Sequence, residues 1–399
     1  MTAGRPLGLG VVGAGSFAEF VCAAAGQLPG EVLIAAVADL DPARARRLAE
    51  RHRASVAADV RELLDDDRVD AIIIATPPSS HAPLTLAALA AGRHVFCEKP
   101  AALDPADAAQ VRAAVQQSGR TYLVDHLLRY NPILAALGRL RERGLLGPVQ
   151  RLAFENDAAD EDLPPGHWFW DEAVSGGILL EHGVHFFDAA SLLLSAPARS
   201  VQAIGRTRPD GPTDTVACTV AHADGALARY AHGFSHAHRA ERQLLRLDCG
   251  LAEVRVHGWI PLRADLDLWT DRPDEVEQLD AAELFEMPGF RLSGTEELAV
   301  RVTRDAAAAS ARARGVEHRA PHHVTVRLDL GWPERKQQVY AECARAALHD
   351  FARSARTGAT PRAGIDAGLR AVELAAAATR ALHDGRTHHL TPVEDTCIA

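Results

Sequence analysis

The sequence is poor in aromatic residues, has no excess of positive charge, no paired cysteine motif and no long apolar run. Phe, Trp and Tyr make up only 5% of its 399 residues. The 43 Lys and Arg against 53 Asp and Glu leave a formal charge of −10, which repels phosphate backbones and anionic lipid alike. Nucleic acid and membrane surfaces are therefore not expected partners. No apolar stretch approaches the roughly 18 residues of a membrane span. Met1-Thr2-Ala3-Gly4-Arg5-Pro6 runs directly into a strand-like segment without the regions of a signal peptide, so a cytoplasmic protein is expected. Cys22, Cys97, Cys218, Cys249, Cys343 and Cys397 lie far apart with no C-x-x-C spacing, which suggests neither a disulfide framework nor a zinc knuckle. Cys397 is third from the end, one place off a prenylation box.

What is present is length and alternation. A chain of 399 residues is too long for one ordinary core and suits two domains. From Leu7 to Lys99, short apolar strands alternate with helical segments: Leu7–Val12, helix Phe17–Gln27, Val32–Ala38, helix Pro42–Arg51, Ala71–Ala75, helix Leu84–Ala91 and His94–Cys97. Near-continuous apolar strands separated by helices predict a parallel sheet covered on both faces. A helix over Pro105–Ser118 and a strand over Thr121–Val124 complete this first domain, residues 1–128.

From 129 to 388 the pattern becomes that of an α+β domain with a large, mostly antiparallel sheet. Its predicted strands are Val149–Glu155, Ser200–Gly205, Thr215–His222, Ala226–Phe234, Gln243–Asp248 and Ala252–His257. One long helix is expected over Gly177–Leu194, and two more over Arg335–Arg356 and Asp366–His383. Residues of about 270–330 read as an insertion, with a helix near Thr295–Gly315 running into the basic stretch Arg312–Arg319. Residues 389–399 read as a tail.

Gly13-Ala14-Gly15-Ser16-Phe17-Ala18 is a G-x-G-x-x-A fingerprint between a strand and a helix, the context in which that motif carries meaning. Gly13 permits the tight turn, Gly15 lets the backbone approach a pyrophosphate, and Ala18 allows close helix–strand packing. Ser16 and Phe17 open the helix whose N-terminus offers amide donors. Asp39 ends the second strand 24 residues after Gly15, where a carboxylate takes the ribose hydroxyls. The same carboxylate repels a 2′-phosphate, and Leu40 beside it cannot hold one, so NAD is expected over NADP. Arg44, Arg46 and Arg47 read as a solvated helix face.

Two further motifs, Ala75-Thr76-Pro77-Pro78-Ser79-Ser80-His81 and Glu98-Lys99-Pro100, follow the third and fourth strands. With the fingerprint, with Arg129-Tyr130-Asn131-Pro132 and with Gly176-Gly177-Ile178-Leu179-Leu180-Glu181-His182-Gly183-Val184-His185-Phe186-Phe187-Asp188, the chain resembles the glucose–fructose oxidoreductase, inositol dehydrogenase and rhizopine-catabolism family. The resemblance excludes about 270–330. It implies an NAD-dependent oxidoreductase moving a hydride between a nicotinamide and a secondary alcohol or ketone of a sugar, inositol or related polyol. It also implies a ribose contact for Glu98 and cofactor contacts for Thr76, Pro77, His81, Lys99 and Arg129.

Read from the residues, Lys99 follows a buried strand at the carboxyl edge of the sheet, where ligands of open α/β folds bind, and its ammonium can stabilise a developing alkoxide. Glu181 and His185 are four apart on the expected helix, so a carboxylate can orient an imidazole whose other nitrogen takes a proton. The family carries Asp where this chain has Glu181, a longer arm. His182 is either structural or a substrate contact, and Asp188 is a helix-packing polar group. Trp168 and Trp170, in an aromatic cluster with His167, either stack on a sugar or plug the domain interface. No metal is expected at Glu181, His182, His185 and His167, since no cysteine joins them. Three competing functions remain open: a keto-sugar reductase of deoxysugar biosynthesis, a glycosidase working by transient NAD-dependent oxidation, and a nucleotide-sensing binding protein. A homodimer or homotetramer is expected through an exposed sheet face.

Overall fold

The computed structural model describes residues 5–159, 163–164, 166–209, 211–304, 311–313, 316–318, 320 and 322–390. Cys397 and most of the predicted tail lie outside them. The first sheet is parallel, with strands β1 (Leu7–Val12), β2 (Val32–Ala38), β3 (Ser55–Val56), β4 (Ala71–Ile74), β5 (His94–Cys97) and β6 (Tyr122–Val124) in the order β3-β2-β1-β4-β5-β6. Helices α1 (Ser16–Ala25), α2 (Pro42–His52), α3 (Val60–Asp65), α4 (His81–Ala90) and α5 (Pro105–Ser118) cover it. β1, β4 and β6 are buried along their whole length, as a sheet covered on both faces requires. The order reverses between β1 and β4, and it is at such a switch point that open α/β sheets bind ligands.

Helix α6 (Pro132–Glu142), capped by Asn131, leads to the second sheet. This sheet has ten strands: β7 (Arg151–Asp157), β8 (Ala198–Thr207), β9 (Thr213–His222), β10 (Leu227–Gly233), β11 (Arg242–Asp248), β12 (Ala252–His257), β13 (Arg263–Thr270), β14 (Glu297–Arg304), then, beyond a separate short hairpin of β15 (Ala311–Ala313) and β16 (Val316–His318), β17 (His322–Asp329) and β18 (His388–His389). All its pairings are antiparallel except β7 with β10. The outer face carries charge pairs, cross-strand between Arg242 and Asp157 at 2.6 Å and between Arg327 and Asp265 at 2.9 Å, and along β13 between Arg263 and Asp265 at 2.9 Å. No helix of the described residues is long and apolar enough to cross a membrane.

Two expectations are corrected here. The predicted helix near Thr295–Gly315 is instead strand β14 followed by the β15–β16 hairpin. In β14, Leu298, Val300 and Val302 alternate inward while Glu297, Ala299, Arg301 and Thr303 face out, a period of two that pairs with β17. The alanine run at 306–309 favours a helix by propensity, and it lies outside the described residues. The segment of about 270–330, read as an insertion, adds β14 and β17 to one end of the large sheet. The predicted tail begins later than residue 389, since His389 pairs with Ser200 of β8.

The long helix predicted over Gly177–Leu194 is broken into α8 (Ile178–Glu181) and α9 (Val184–Ser191), after a first short helix α7 (Glu172–Ser175). At the break the amides of His182 and Gly183 both donate to the Ile178 carbonyl, and the Phe186 and Phe187 amides both donate to that of Gly183. A side chain at position 183 would meet the Leu179 carbonyl oxygen at 2.5 Å, so only glycine fits this turn. The widened turn takes the Glu181 carbonyl out of the helical ladder and leaves it free to accept from elsewhere.

Two short helices, α10 (Pro273–Glu277) and α11 (Ala281–Leu284), precede the last pair, α12 (Lys336–Thr357) and α13 (Ile365–Asp384). These return to the first domain: α12 packs on α1, and α13 packs on α5 and β6. The Val124 amide donates to the Ala363 carbonyl at 2.9 Å, and Tyr130 donates to Asp350 at 2.9 Å. Where the chain crosses between sheets, Arg129 clasps Asp188 of α9 through Nε and Nη2 at 2.7–2.9 Å. Asp188 is buried and Arg129 nearly so. Removing one partner leaves the other charge buried and unpaired, so Arg129→Ala should lower stability by about 3–5 kcal/mol. The Arg129→Ala/Asp188→Ala pair should lose less than the two single losses added together. Thermal denaturation of the four proteins measures the coupling.

Candidate active site

The glycine turn after β1 is built as its spacing implies. Gly13 has φ +92°, and a Cβ there would meet the Ala75 carbonyl oxygen at 2.4 Å. Gly15 faces open space, with nothing within 4 Å of a would-be Cβ. Ser16 begins α1 and is exposed, and Phe17 is half-buried behind it. Asp39 holds this turn from below, accepting from the Ala14 amide at 2.6 Å and from the Asp41 amide at 2.7 Å. Each carboxylate oxygen keeps a lone pair for a further donor, so the residue fits a ribose while fixing the loop. Thr76 and Pro77 stay partly open at the end of β4, with the Thr76 and Ser80 hydroxyls 2.6 Å apart.

Lys99 is the centre of the site. Its ammonium donates to the Glu181 carbonyl at 2.7 Å and to the Glu181 carboxylate, with both side chains buried. The first acceptor is the carbonyl freed by the helix break. Glu98 turns back to accept from the Lys99 amide. Burial pulls the Lys99 pKa down, but the charges of Glu181 and Glu98 and the hydrogen bond from Glu181 outweigh it and raise it on balance. Lys99 is therefore an ammonium at any working pH. Asp125, at the end of the adjacent β6, faces the same lysine and has one buried oxygen without a partner.

His185 follows on α9, buried, with an unpartnered Nδ1. Burial first, then the charges of Lys99, His182, His126 and His232, press its pKa well below the ordinary value. The imidazole is consequently neutral, the form that can take a proton.

Three assignments change with the structure. Glu181 does not orient His185: its carboxylate is committed to Lys99, because the break turns the two residues away from a shared helical face. His81 does not line a cofactor cleft. It is fully buried, with Nδ1 2.7 Å from the Pro100 carbonyl oxygen and Nε2 2.8 Å from that of Thr76, and so ties the loop after β4 to the lysine turn. Arg129 is taken by Asp188 rather than left for a cofactor, and Asp188 is the packing group expected of it. Trp168 and Trp170 belong to the aromatic cluster with His167: Trp168 packs on His167 and Phe169, while Trp170 meets Phe169, Phe234 and the Arg208 guanidinium.

His182 lies between these regions, its Nε2 3.1 Å from Asn156 Nδ2 and its ring against His185, His232 and Phe234. Burial and the charge of Lys99 lower its pKa to about 3. The residues missed from sequence are Asp125, His126 and Trp259, whose ring centroid lies 5.7 Å from that of His185. Asp125 and His126 stood directly beside the Arg129 motif and could have been found as polar residues closing an apolar strand. Nothing in the sequence marked Trp259. Among the described residues no group of three or more His, Cys, Asp or Glu is placed to hold a metal.

Comparison with known proteins matches residues 7–126 to an oxidoreductase family model with an NAD-binding Rossmann fold, and residues 134–258 to the GFO/IDH/MocA C-terminal domain. A mouse trans-1,2-dihydrobenzene-1,2-diol dehydrogenase is 30% identical over 229 residues, covering 57% of this chain and 68% of that protein. The chain belongs to the Gfo/Idh/MocA oxidoreductase family. An inositol 2-dehydrogenase of Rubrobacter xylanophilus is 35% identical over 182 residues, 45% of this chain and 49% of its own length. The chain spans about half to two-thirds of the length of the first curated relatives it matches. A levoglucosan dehydrogenase in complex with NADH and levoglucosan has the same fold, with a TM-score of 0.76 at 18% identity over 96% of this chain and 99% of that one. This Gfo/Idh/MocA chain therefore has its Rossmann sheet and large antiparallel sheet in the family arrangement.

The buried groups around Lys99 titrate in opposite senses. Burial lifts Glu98 to about 8 and Asp125 to about 7, against the pull of Lys99. The folded protein keeps protons on them that an unfolded chain, with values near 4, has released. Their contribution to stability is full in acid and is lost as pH rises toward 8. Burial lowers His126 to about 4 and His182 to about 3, and presses His185 and His232 down as well. Stability is therefore also lost as pH falls below the roughly 6.5 of a free histidine. The Tm should peak at roughly pH 6–7. A Glu98→Gln/Asp125→Asn variant should keep the acid limb and flatten the decline between about pH 6.5 and 8.5. An unaltered alkaline limb in thermal scans at constant ionic strength would show both carboxyls already ionised at neutral pH.

Proposed function

We propose that the protein is an NAD(H)-dependent dehydrogenase acting on a secondary alcohol of a sugar, inositol or related polyol, or on the corresponding ketone in reverse. The observation that carries this reading is the Lys99 ammonium, fixed by both the carboxylate and the freed carbonyl of Glu181 beside a neutral His185. A nucleotide-binding protein has no need of that triad. The glycine turn, the α1 N-terminus and Asp39 fit the pyrophosphate and adenosine ribose, and Glu98 with Thr76 and Pro77 fits the nicotinamide half. NAD, when bound, supplies the hydride acceptor.

The chain's own groups handle the proton and the charge. Lys99 donates to the substrate oxygen and steadies the negative charge that grows as the hydroxyl ionises. His185 accepts the hydroxyl proton, its neutral form being held ready by burial and by Lys99. Glu181 keeps Lys99 charged and aimed, and its longer arm suits that role as well as an aspartate elsewhere would. Five buried cysteines without disulfides, Cys22, Cys97, Cys218, Cys249 and Cys343, support a reducing, cytoplasmic setting. A second copy of the chain covers the open face of the large sheet, where Ile204, Leu227 and Trp269 are exposed among the charge pairs. A monomeric mass in light scattering would remove that assignment.

His185→Ala should lower turnover by ~10²–10⁴, and Lys99→Met by at least as much, with NADH binding retained by nicotinamide fluorescence. Asp39→Ser should narrow the preference for NAD over NADP, since it removes the charge that opposes a 2′-phosphate. A 340 nm screen of sugars, inositols and keto-sugars decides the class: net NADH formation supports a dehydrogenase, NADH consumption with a keto-sugar favours the reductase, and aglycone release without net NADH means redox elimination. Inactivity across the panel sinks the assignment.

A further inference from the structure

A row of aromatic rings runs from His185, and the hydride chemistry accounts for none of it. Trp259 sits in the turn between β12 and β13 with its ring centroid 5.7 Å from that of His185. Tyr340 of α12 lies edge-on against it at 5.5 Å, and stacks in turn on Phe20 of α1 at 4.3 Å with the planes 19° apart. Phe20 meets Phe17, in the first turn after the glycine loop, at 6.4 Å. Three separate elements thus contribute one row of four rings running from the cofactor loop to the proton acceptor.

Aromatic residues that merely seal a joint are buried, as Tyr130 and Phe351 are. Each of these four stays half-exposed. In a chain with only 5% aromatic residues, an open row of them at a polar site is a feature to be explained. Tyr340 packs against the Trp259 ring and restricts it, so the indole needs little further ordering on binding. The Trp259 indole N–H has no hydrogen-bond acceptor among the described residues, whereas that of Trp170 donates to Leu163. A rigid apolar face with a free donor at its rim, next to the group that takes a hydroxyl proton, complements a saturated ring. Axial C–H bonds pack on the face, and an equatorial hydroxyl accepts from the rim.

Given the dehydrogenase reading above, on which this rests, we propose that Trp259 is the specificity-determining residue of the substrate site. It is a stacking platform that selects cyclic polyols and pyranoses over open-chain ones. An open-chain polyol offers no flat C–H face and must be ordered at every bond to imitate one.

The test compares wild type, Trp259→Ala and Trp259→Phe with saturating NAD at 340 nm, on scyllo-inositol, myo-inositol and D-glucose as cyclic substrates and on D-sorbitol as the open-chain one. NADH fluorescence titration checks that each variant remains folded at the cofactor site. Wild type should favour the cyclic substrates. Trp259→Ala should lower their kcat/KM by ~10–100-fold, mainly through KM, and leave D-sorbitol within about threefold, so that the ring preference collapses. Trp259→Phe should recover most of the loss, because it restores the face but not the donor. An active enzyme whose ring preference is unchanged in Trp259→Ala, or which loses both substrate classes equally, overturns the platform and leaves the dehydrogenase reading standing. A wild type that oxidises D-sorbitol in preference to the cyclic substrates overturns the platform alone, and inactivity across the wider panel above overturns both readings.

Discussion

The structure depends on one buried ammonium. Lys99 closes a strand of the first sheet, and its two acceptors belong to Glu181, in the helical layer of the second. Taking an ammonium and a carboxylate out of water costs several kcal/mol for each ion, and their attraction offsets this only when the geometry is good and the remaining donors are satisfied. The broken helix meets that condition by supplying a carbonyl as well as a carboxylate. Gly183 allows the break, the break frees the carbonyl, and the carbonyl completes the lysine's shell. The same contact holds the nucleotide half of the cleft against the half that carries His185.

Charge around that ammonium is arranged in a graded way. Glu98, Asp125 and Glu181 surround it on the carboxylate side, while His126, His182, His185 and His232 lie on the other and stay neutral. One cation cannot fully compensate three buried carboxylates, which is why burial pushes Glu98 and Asp125 toward their protonated forms. The histidines are each disfavoured as cations by burial and, apart from His232, by Lys99 itself. The cleft therefore holds one dominant positive charge, on Lys99, and little that competes with it.

Much of this was legible in advance. The Gly13–Gly15 turn, Asp39 and the Glu98-Lys99-Pro100 corner are local: each depends on a few consecutive residues and on a strand end that apolar runs reveal. Strands β1, β2, β5 and β12 lie where their apolar pattern placed them. What escaped was relational. The Gly177–Leu194 segment has helical spacing throughout, and its break rests on the close approach of the Leu179 carbonyl to Gly183, which no side-chain pattern records. β14 has a strand's alternation but sits beside an alanine run that favours helix by propensity. His81, Arg129 and Trp170 were polar or aromatic residues near motifs, and only the fold shows that Pro100, Asp188 and Phe234 had already engaged them. Trp259 reaches His185 across more than seventy residues of sequence.

The return of α12 and α13 to the first domain has a consequence for how the chain is made. The parallel sheet is encoded before residue 125, yet two of the helices that finish it begin roughly two hundred residues later. At ribosomal rates of about 5–20 residues per second that interval lasts on the order of 10–40 s. Throughout it the emerging domain has α1, α5 and β6 without their covers, and the Val124 amide without its carbonyl. Nascent chains of this protein thus carry an open apolar flank until α12 and α13 have left the ribosome, and it is those late helices that finish the first domain.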